Sequence, residues 1–238
     1  MKRMLAIAIA YFPFTPGFRS FLYRILFGYN IGRNVKCKYG AVINVDKAII
    51  GNDSVIGRFA KINSISEFEI GEDSLIDSYV KVLGPVRFLY GQTKPKIKMG
   101  NQVAIMANWI VDVCGSIIVG NNVLFAGQYG QIWTHTFDLN NNRMDFEIVI
   151  GSNIYVGSGC ILCGSVYLCD DVVISAGSTI TGRIENPGVY STNLGLERVG
   201  NVHDFSDLYS NGIEVKQKII QAKQYTIYSK ISGVEDKT

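Results

Sequence analysis

At 238 residues the chain fits one or two domains. Its 47% hydrophobic and 18% charged residues supply a core and exclude disorder, and 23 cations against 20 anions, net +3, do not make a nucleic-acid binder. Twenty-five glycines with only five prolines point to many tight corners between short strands.

Met1 to Ala10 carries basic residues and an apolar run, but Phe12-Pro-Phe-Thr-Pro-Gly follows without a small-residue cleavage site, so no cleavable leader is expected. No apolar stretch reaches the ~18 residues of a spanning helix. Residues 1–30 are expected to form a helical cap, with a weak membrane-surface foot over residues 1–28 as the sharper alternative. The five cysteines, Cys37, Cys114, Cys160, Cys163 and Cys169, are odd in number. With no leader this suggests reduced thiols and a cytoplasmic protein, at the inner face of the membrane if the foot is used.

From Ile31 a six-residue period takes over. Aliphatic positions fall into triplets: Ile31, Cys37, Ile43; Ile50, Ile56, Ile62; Ile70, Ile76, Val82; Met99, Ile105, Val111; Val119, Phe125, Gln131; Ile150, Val156, Leu162; Leu168, Ile174, Ile180. Steps within a triplet are six, and steps between triplets are 7, 8, 17, 8, 19 and 6. Six is neither a helical period nor a plain alternation; it suits a short strand plus a corner. Three hexads make one turn of a triangular prism, so every insertion, including loops 87–96 and 137–149, leaves from one edge. Seven turns stacked at the inter-strand spacing make a column roughly 34 Å long. The expected class is all-β, a parallel β-helix over residues 31–199, followed by a tail over 200–238. The apolar–polar pattern near Ile213 to Ala222 predicts a helix in that tail.

The repeat resembles the hexapeptide-repeat acyltransferases. Gly151-Ser-Asn-Ile-Tyr-Val-Gly-Ser-Gly-Cys is similar to that family's G-(D/N)-N-V-W-I-G-x-G-x segment. Asp170-Asp-Val-Val-Ile-Ser-Ala-Gly-Ser-Thr-Ile-Thr is similar to its D-N-V-V-I-G-A-G-S-V-V-T segment, and Asn186-Pro-Gly-Val-Tyr to its closing turn. After Tyr190 the chain departs: the usual G-N-P-A-(K/R) becomes Thr192-Asn-Leu-Gly-Leu-Glu-Arg. The resemblance implies a left-handed coil, acetyl-CoA as acyl donor, direct transfer to a sugar hydroxyl, a homotrimer with CoA between columns, and no metal. The apolar, Arg-containing segment before the first coil resembles members that act on bacterial surface polysaccharides or their precursors.

Of the two histidines, His203 follows the repeat and reads as a surface residue. His135, in Trp133-Thr-His-Thr-Phe-Asp where the hexads stop, sits where the family's sugar O-acetyltransferases carry their catalytic histidine. An imidazole is suited to taking a hydroxyl proton near neutral pH. Asn108, in the preceding turn, matches the family's active-site asparagine, whose amide would hold the acceptor hydroxyl or the oxyanion; an Asn also suits a prism corner. Asp138 is a candidate to orient the imidazole or to cap the loop, and Asp138 or Asp112 would be the base if His135 were not. Trp133 and Arg143 are candidates for the acceptor site, set against an edge aromatic and an exposed loop cation. For CoA the resemblance carries over Ser158, Ala176, Thr181 and Arg198, with Arg183 one place late for the family's lysine, where Gly182 stands. Cys160-x2-Cys163 has the spacing of a zinc pair, but Cys163 and Cys169, six apart, fall at different corners, Cys160 takes an inward packing slot, and no histidine is nearby.

Three rival functions are weighed. An N-acetyltransferase of a nucleotide-linked amino sugar often carries an N-terminal nucleotide-binding domain, for which repeats starting at Ile31 leave no room. A hexapeptide-repeat carbonic anhydrase needs three histidines. A non-catalytic β-helix binding protein does not account for His135 or the CoA-like segments.

Overall fold

The structure is a computed structural model, and it describes residues 2–85, 94–139, 143–192, 196–200, 213–217 and 227–231. Two helices lead, α1 (Lys2–Tyr11) and α2 (Pro16–Phe27). Thr15 caps α2 by accepting the Phe18 N–H, Pro16 starts it with its φ already set, and Gly28 ends it in the left-handed region. Tyr23 of α2 is fully buried; its hydroxyl meets the Ala41 carbonyl at 3.0 Å and accepts the Ile43 N–H at 3.2 Å. The helices thereby satisfy backbone groups of the first coil and cover the start of the core.

The column has three parallel faces. On the first, Ile31, Ile50, Ile70, Met99, Val119, Ile150 and Leu168 stand in one register line. On the second, the line is Cys37, Ile56, Ile76, Ile105, Phe125, Val156 and Ile174. On the third it is Ile43, Ile62, Val82, Val111, Ile132, Leu162 and Ile180. Seven coils are complete, and Ile184 and Tyr190 begin an eighth on two faces. All these side chains are buried, so one continuous aliphatic core runs up the prism axis. Each strand contributes its inward row, which is why the hydrophobic repeat follows the coil.

The corner after the first face is turned in every coil by a residue with positive φ: Asn34, Asp53, Asp73, Gln102, Asn122, Asn153 and Asp171. Asn and Asp tolerate that conformation best among residues with a side chain. One hexad position differs from the expected triplets: the inward residue of the fifth coil is Ile132, and Gln131 faces outward beside Ile110 and Ile161. The step from Phe125 to Ile132 is therefore seven. The extra residue lies in Ala126–Gly130, and its reason is steric. Trp109 of the coil below is fully buried, and a Cβ on Gly130 would come within 2.2 Å of its ring. The backbone detours around the indole.

Apart from the single extra residue in Ala126–Gly130, the insertions leave from one edge, between the third and first faces, because the strands on either side of each belong to those two faces. Where the step is six, the strand Ile161–Leu168 runs round the edge unbroken and pairs on both faces, with Gly164 at positive φ in the bend. Of the loop expected at 87–96, residues 87–93 lie outside the described residues, and Lys96 already belongs to a column strand. The loop expected at 137–149 is a β-hairpin, His135–Phe137 with Arg143–Asp145, and the column resumes at Glu147. The tail departs from the expected helix: Ile213–Gln217 and Ile227–Ile231 form an antiparallel pair. Ile213-Glu-Val-Lys-Gln alternates apolar and polar at period two, a strand signal that outweighs the looser helical pattern.

Candidate active site

The third-face strand Gln131–Trp133 ends at Thr134, which is fully buried and pins the start of the hairpin. Its hydroxyl accepts the N–H groups of Cys114 at 2.7 Å and Gly115 at 3.0 Å and donates to the Asp112 carbonyl at 3.0 Å. Its own carbonyl accepts the Phe146 N–H at 2.7 Å. One threonine thus ties both ends of the hairpin to the coil below. His135, the next residue, faces Asp145 across the hairpin.

Asp112 ends the strand Ile110–Asp112, in register with Trp133, and its Oδ1 lies 2.7 Å from His135 Nδ1. Both side chains are largely covered, at 20% and 16% exposure. An ionised carboxylate only accepts hydrogen bonds, so Nδ1 carries the hydrogen and Nε2 keeps its lone pair. Trp133 and Phe137 stand edge-on to the imidazole, at 6.1 and 5.6 Å between ring centres. The arrangement can hold a neutral imidazole in one tautomer and stabilise it once protonated. The carboxylate at Nδ1 is therefore Asp112 rather than Asp138, which lies half-buried just beyond the hairpin strand.

Cys114 completes a cluster whose ligand atoms with Asp112 and His135 lie within 4.8 Å of one another. Two ligands of one tetrahedral zinc, each bonded at ~2.0–2.1 Å, sit more than about 3 Å apart. The 2.7 Å contact of Asp112 and His135 has the geometry of a hydrogen bond instead. Burial and the neighbouring Asp112 push the Cys114 thiol up to about 12, so it stays protonated and is no nucleophile near neutral pH.

Arg143 is engaged by Asp145 two residues on, through Nε and a terminal nitrogen, each at 2.9 Å. One edge of its guanidinium is thereby committed within the hairpin. Trp133 donates from Nε1 to Gln131 at 2.8 Å and is half-buried, with the His135 ring at its edge. A cavity of about 560 Å³ opens along this edge beside the hairpin, lined by Asp145 and Phe146 and by Lys94, Lys96, Glu67 and Glu147.

The other expected residues stand elsewhere. Asn108, at positive φ, turns the opposite corner of the third face, and its amide reaches Gln128 only at 3.4 Å. Ser158, on that corner, exchanges hydrogen bonds with the Gln128 backbone, and Ala176 lies one coil further, its amide nitrogen so close that a Cβ on Gly157 would meet it at 2.4 Å. A third-face strand separates this line from His135, roughly 10 to 15 Å. Thr181 is exposed at the insertion edge. Arg183 lies over the Tyr167 ring at 4.2 Å and pairs with Glu185. Arg198 is opposite Tyr190 in the strand Leu196–Gly200. His203 lies outside the described residues.

No family model matches the chain. It is 29% identical over 102 residues to a UDP-3-O-acylglucosamine N-acyltransferase of Bordetella avium, covering 40% of this chain and 28% of that protein. It is 28% identical over 125 residues to the galactoside O-acetyltransferase of Escherichia coli K12, covering 50% of this chain and 60% of that one. Both curated relatives are acyltransferases, and the chain is similar to them over part of its length. Its column is a parallel β-helix of stacked three-strand coils. The chain spans less than two thirds of the length of either curated relative. Among solved structures, an N-acyltransferase of Bacillus cereus in complex with dTDP and coenzyme A is similar at 15% identity and a TM-score of 0.47, over 79% of this chain and 92% of that one.

Within this column, sequence reasoning named Asp112 only as an alternative base and passed over Thr134. Asp112 is an outward position in a repeat whose inward positions carry the signal, so its pairing with His135 was not visible. Thr134 is a polar residue buried where the period stops, and that break in the period was the available clue.

Proposed function

We propose that the chain is an acetyl-CoA-dependent O-acetyltransferase acting on a sugar hydroxyl of a bacterial surface polysaccharide or its precursor, with His135 as general base. The observation that carries this reading is the 2.7 Å contact of His135 Nδ1 with Asp112, which leaves Nε2 as the nitrogen to take a proton. His135 removes the acceptor hydroxyl proton, the oxygen attacks the thioester carbonyl, and the tetrahedral intermediate collapses with loss of the CoA thiolate. The imidazolium, held by Asp112, returns the proton to the leaving sulfur. No covalent enzyme intermediate is needed.

Asn108, Ser158 and Ala176 stand a face's width from His135, so one column does not close the site. A homotrimer, in which the corner of one column meets the insertion edge of the next, brings the two lines together, with CoA along the groove between them. In this reading Asn108 contributes to oxyanion stabilisation across the boundary, Thr181, Arg183 and Arg198 flank the CoA arm, and Trp133 and Arg143 border the acceptor. The same base would serve an amine, and one curated relative is an N-acyltransferase. Among the described residues no helix is long and apolar enough to cross a membrane. We place the reaction in the cytoplasm, where acetyl-CoA is made.

The test is thiol release from acetyl-CoA against a panel of sugars and amino sugars. His135→Ala should lose at least ~10²-fold in turnover, the low end for removing a general base, with acetyl-CoA binding unchanged by calorimetry. Wild-type turnover in that variant overturns the reading, and transfer to amino sugars alone moves it to N-acylation.

A further inference from the structure

The N-terminal cap is built inside out. In α2 the buried side chains are polar: Arg19, Ser20 and Tyr23. They hydrogen-bond carbonyls of the first coil, Arg19 to Cys37 at 3.3 Å and Ser20 to Val35 at 2.8 Å. Phe18, Phe21 and Ile25, spaced as one helical stripe, face solvent at 43%, 46% and 60% exposure. In α1 the small residues Ala6 and Ala10 face inward with Ile9, while Met4 is 72% exposed. Phe12, Phe14, Phe18 and Phe21 form a chain of ring contacts at 4.4, 4.9 and 5.8 Å that links the two helices. A helix that only closed a core would carry the reverse pattern.

The charge is equally one-sided. No acidic residue precedes Asp46, whereas Lys2, Arg3, Arg19, Arg24, Arg33, Lys36 and Lys38 do. Of these Lys2, Arg3, Arg24, Arg33 and Lys36 are exposed. At 10 and 12 residues the helices are far short of the ~20 needed to span a bilayer. A second copy of this surface would bring like charges together, while an anionic lipid surface complements them.

We propose that this face docks the protein onto an anionic bilayer, with the aromatic stripe in the headgroup–acyl boundary and the exposed cations against lipid phosphates. The proposal is independent of the chemistry at His135. It would keep the enzyme beside acceptors carried on a lipid.

The full chain is sedimented with phosphatidylcholine vesicles, with and without roughly a third phosphatidylglycerol. Binding is expected to the mixed vesicles only and to weaken as salt rises. Phe18→Ser with Phe21→Ser should lower the bound fraction at least about tenfold, as loss of two inserted rings implies. Arg3→Glu with Lys36→Glu should lower it while keeping the thermal transition. Two results overturn the proposal. One is a chain that stays in the supernatant with anionic vesicles. The other is a serine variant that binds vesicles like wild type but has a smaller mass by light scattering, which would make the stripe an interface between copies.

Discussion

Replacing Asp112 by Asn tests the candidate site most sharply, because it keeps the shape and removes the charge. In the wild type the carboxylate meets Nδ1 at 2.7 Å, with both side chains largely covered. An amide in that place can donate its own N–H to Nδ1, which moves the imidazole hydrogen to Nε2 and abolishes the base. It also withdraws the anion that faces the imidazolium in the transition state. At about 4 Å between charge centres and an effective dielectric near 20, that attraction is worth about 4 kcal/mol, and a hydrogen bond to a charged group about 1.5–3 kcal/mol. Turnover should fall by ~10²–10³, or about 3–4 kcal/mol in the barrier. KM for acetyl-CoA should change less than ~3-fold, since the contact matters after binding. His135→Ala added to Asp112→Asn should cost little more, because the two act as a unit. The assay is thiol release under saturating acetyl-CoA, with the melting temperature as fold control. Wild-type turnover in Asp112→Asn, or losses that simply add, would refute the pairing as the source of the base.

Three further outcomes follow from the packing. Gly130→Ala drives a Cβ into the Trp109 ring and should cost about 1–3 kcal/mol in urea unfolding, with Trp109→Leu in the same chain restoring part of it. Thr134→Val strands the Cys114 and Gly115 N–H groups, which should cost about 2 kcal/mol or more and reduce turnover as the hairpin loosens. Alkali should weaken the cap region. Burial pushes the Cys37 thiol up to about 11 and the Tyr29 hydroxyl up to about 12, so the neutral forms are favoured in the fold. Folded values raised above the unfolded ones contribute stability in full below the unfolded values, and that contribution is lost as pH rises from about 9 towards 12. Urea midpoints across that range should fall, and less so in Cys37→Ala.

The hexad spacing alone determined the column, its three faces and the single edge from which insertions leave. In a prism every coil repeats one local rule, so a period in the chain is a period in space. That is why Ile50, Ile70 and Met99 could be placed in line before any contact was known. His135 was legible for the same reason, as the histidine at which the period breaks. What the period does not encode is how coils meet. Gln131 fits the six-residue count, yet Ile132 points inward, because Trp109 from the coil below needs the room that Gly130 leaves. Asp112 and His135 are far apart in sequence but stand one strand spacing apart, and only the stacking register brings their side chains to 2.7 Å. The same register sets Asn108 and Ser158 on the far corner of that face. The tail turned from expected helix to strand pair because two short alternating segments satisfy each other's backbone, which neither shows alone. Local pattern governs what repeats along the chain; the sites depend on which coil lies above which, and that is decided by packing.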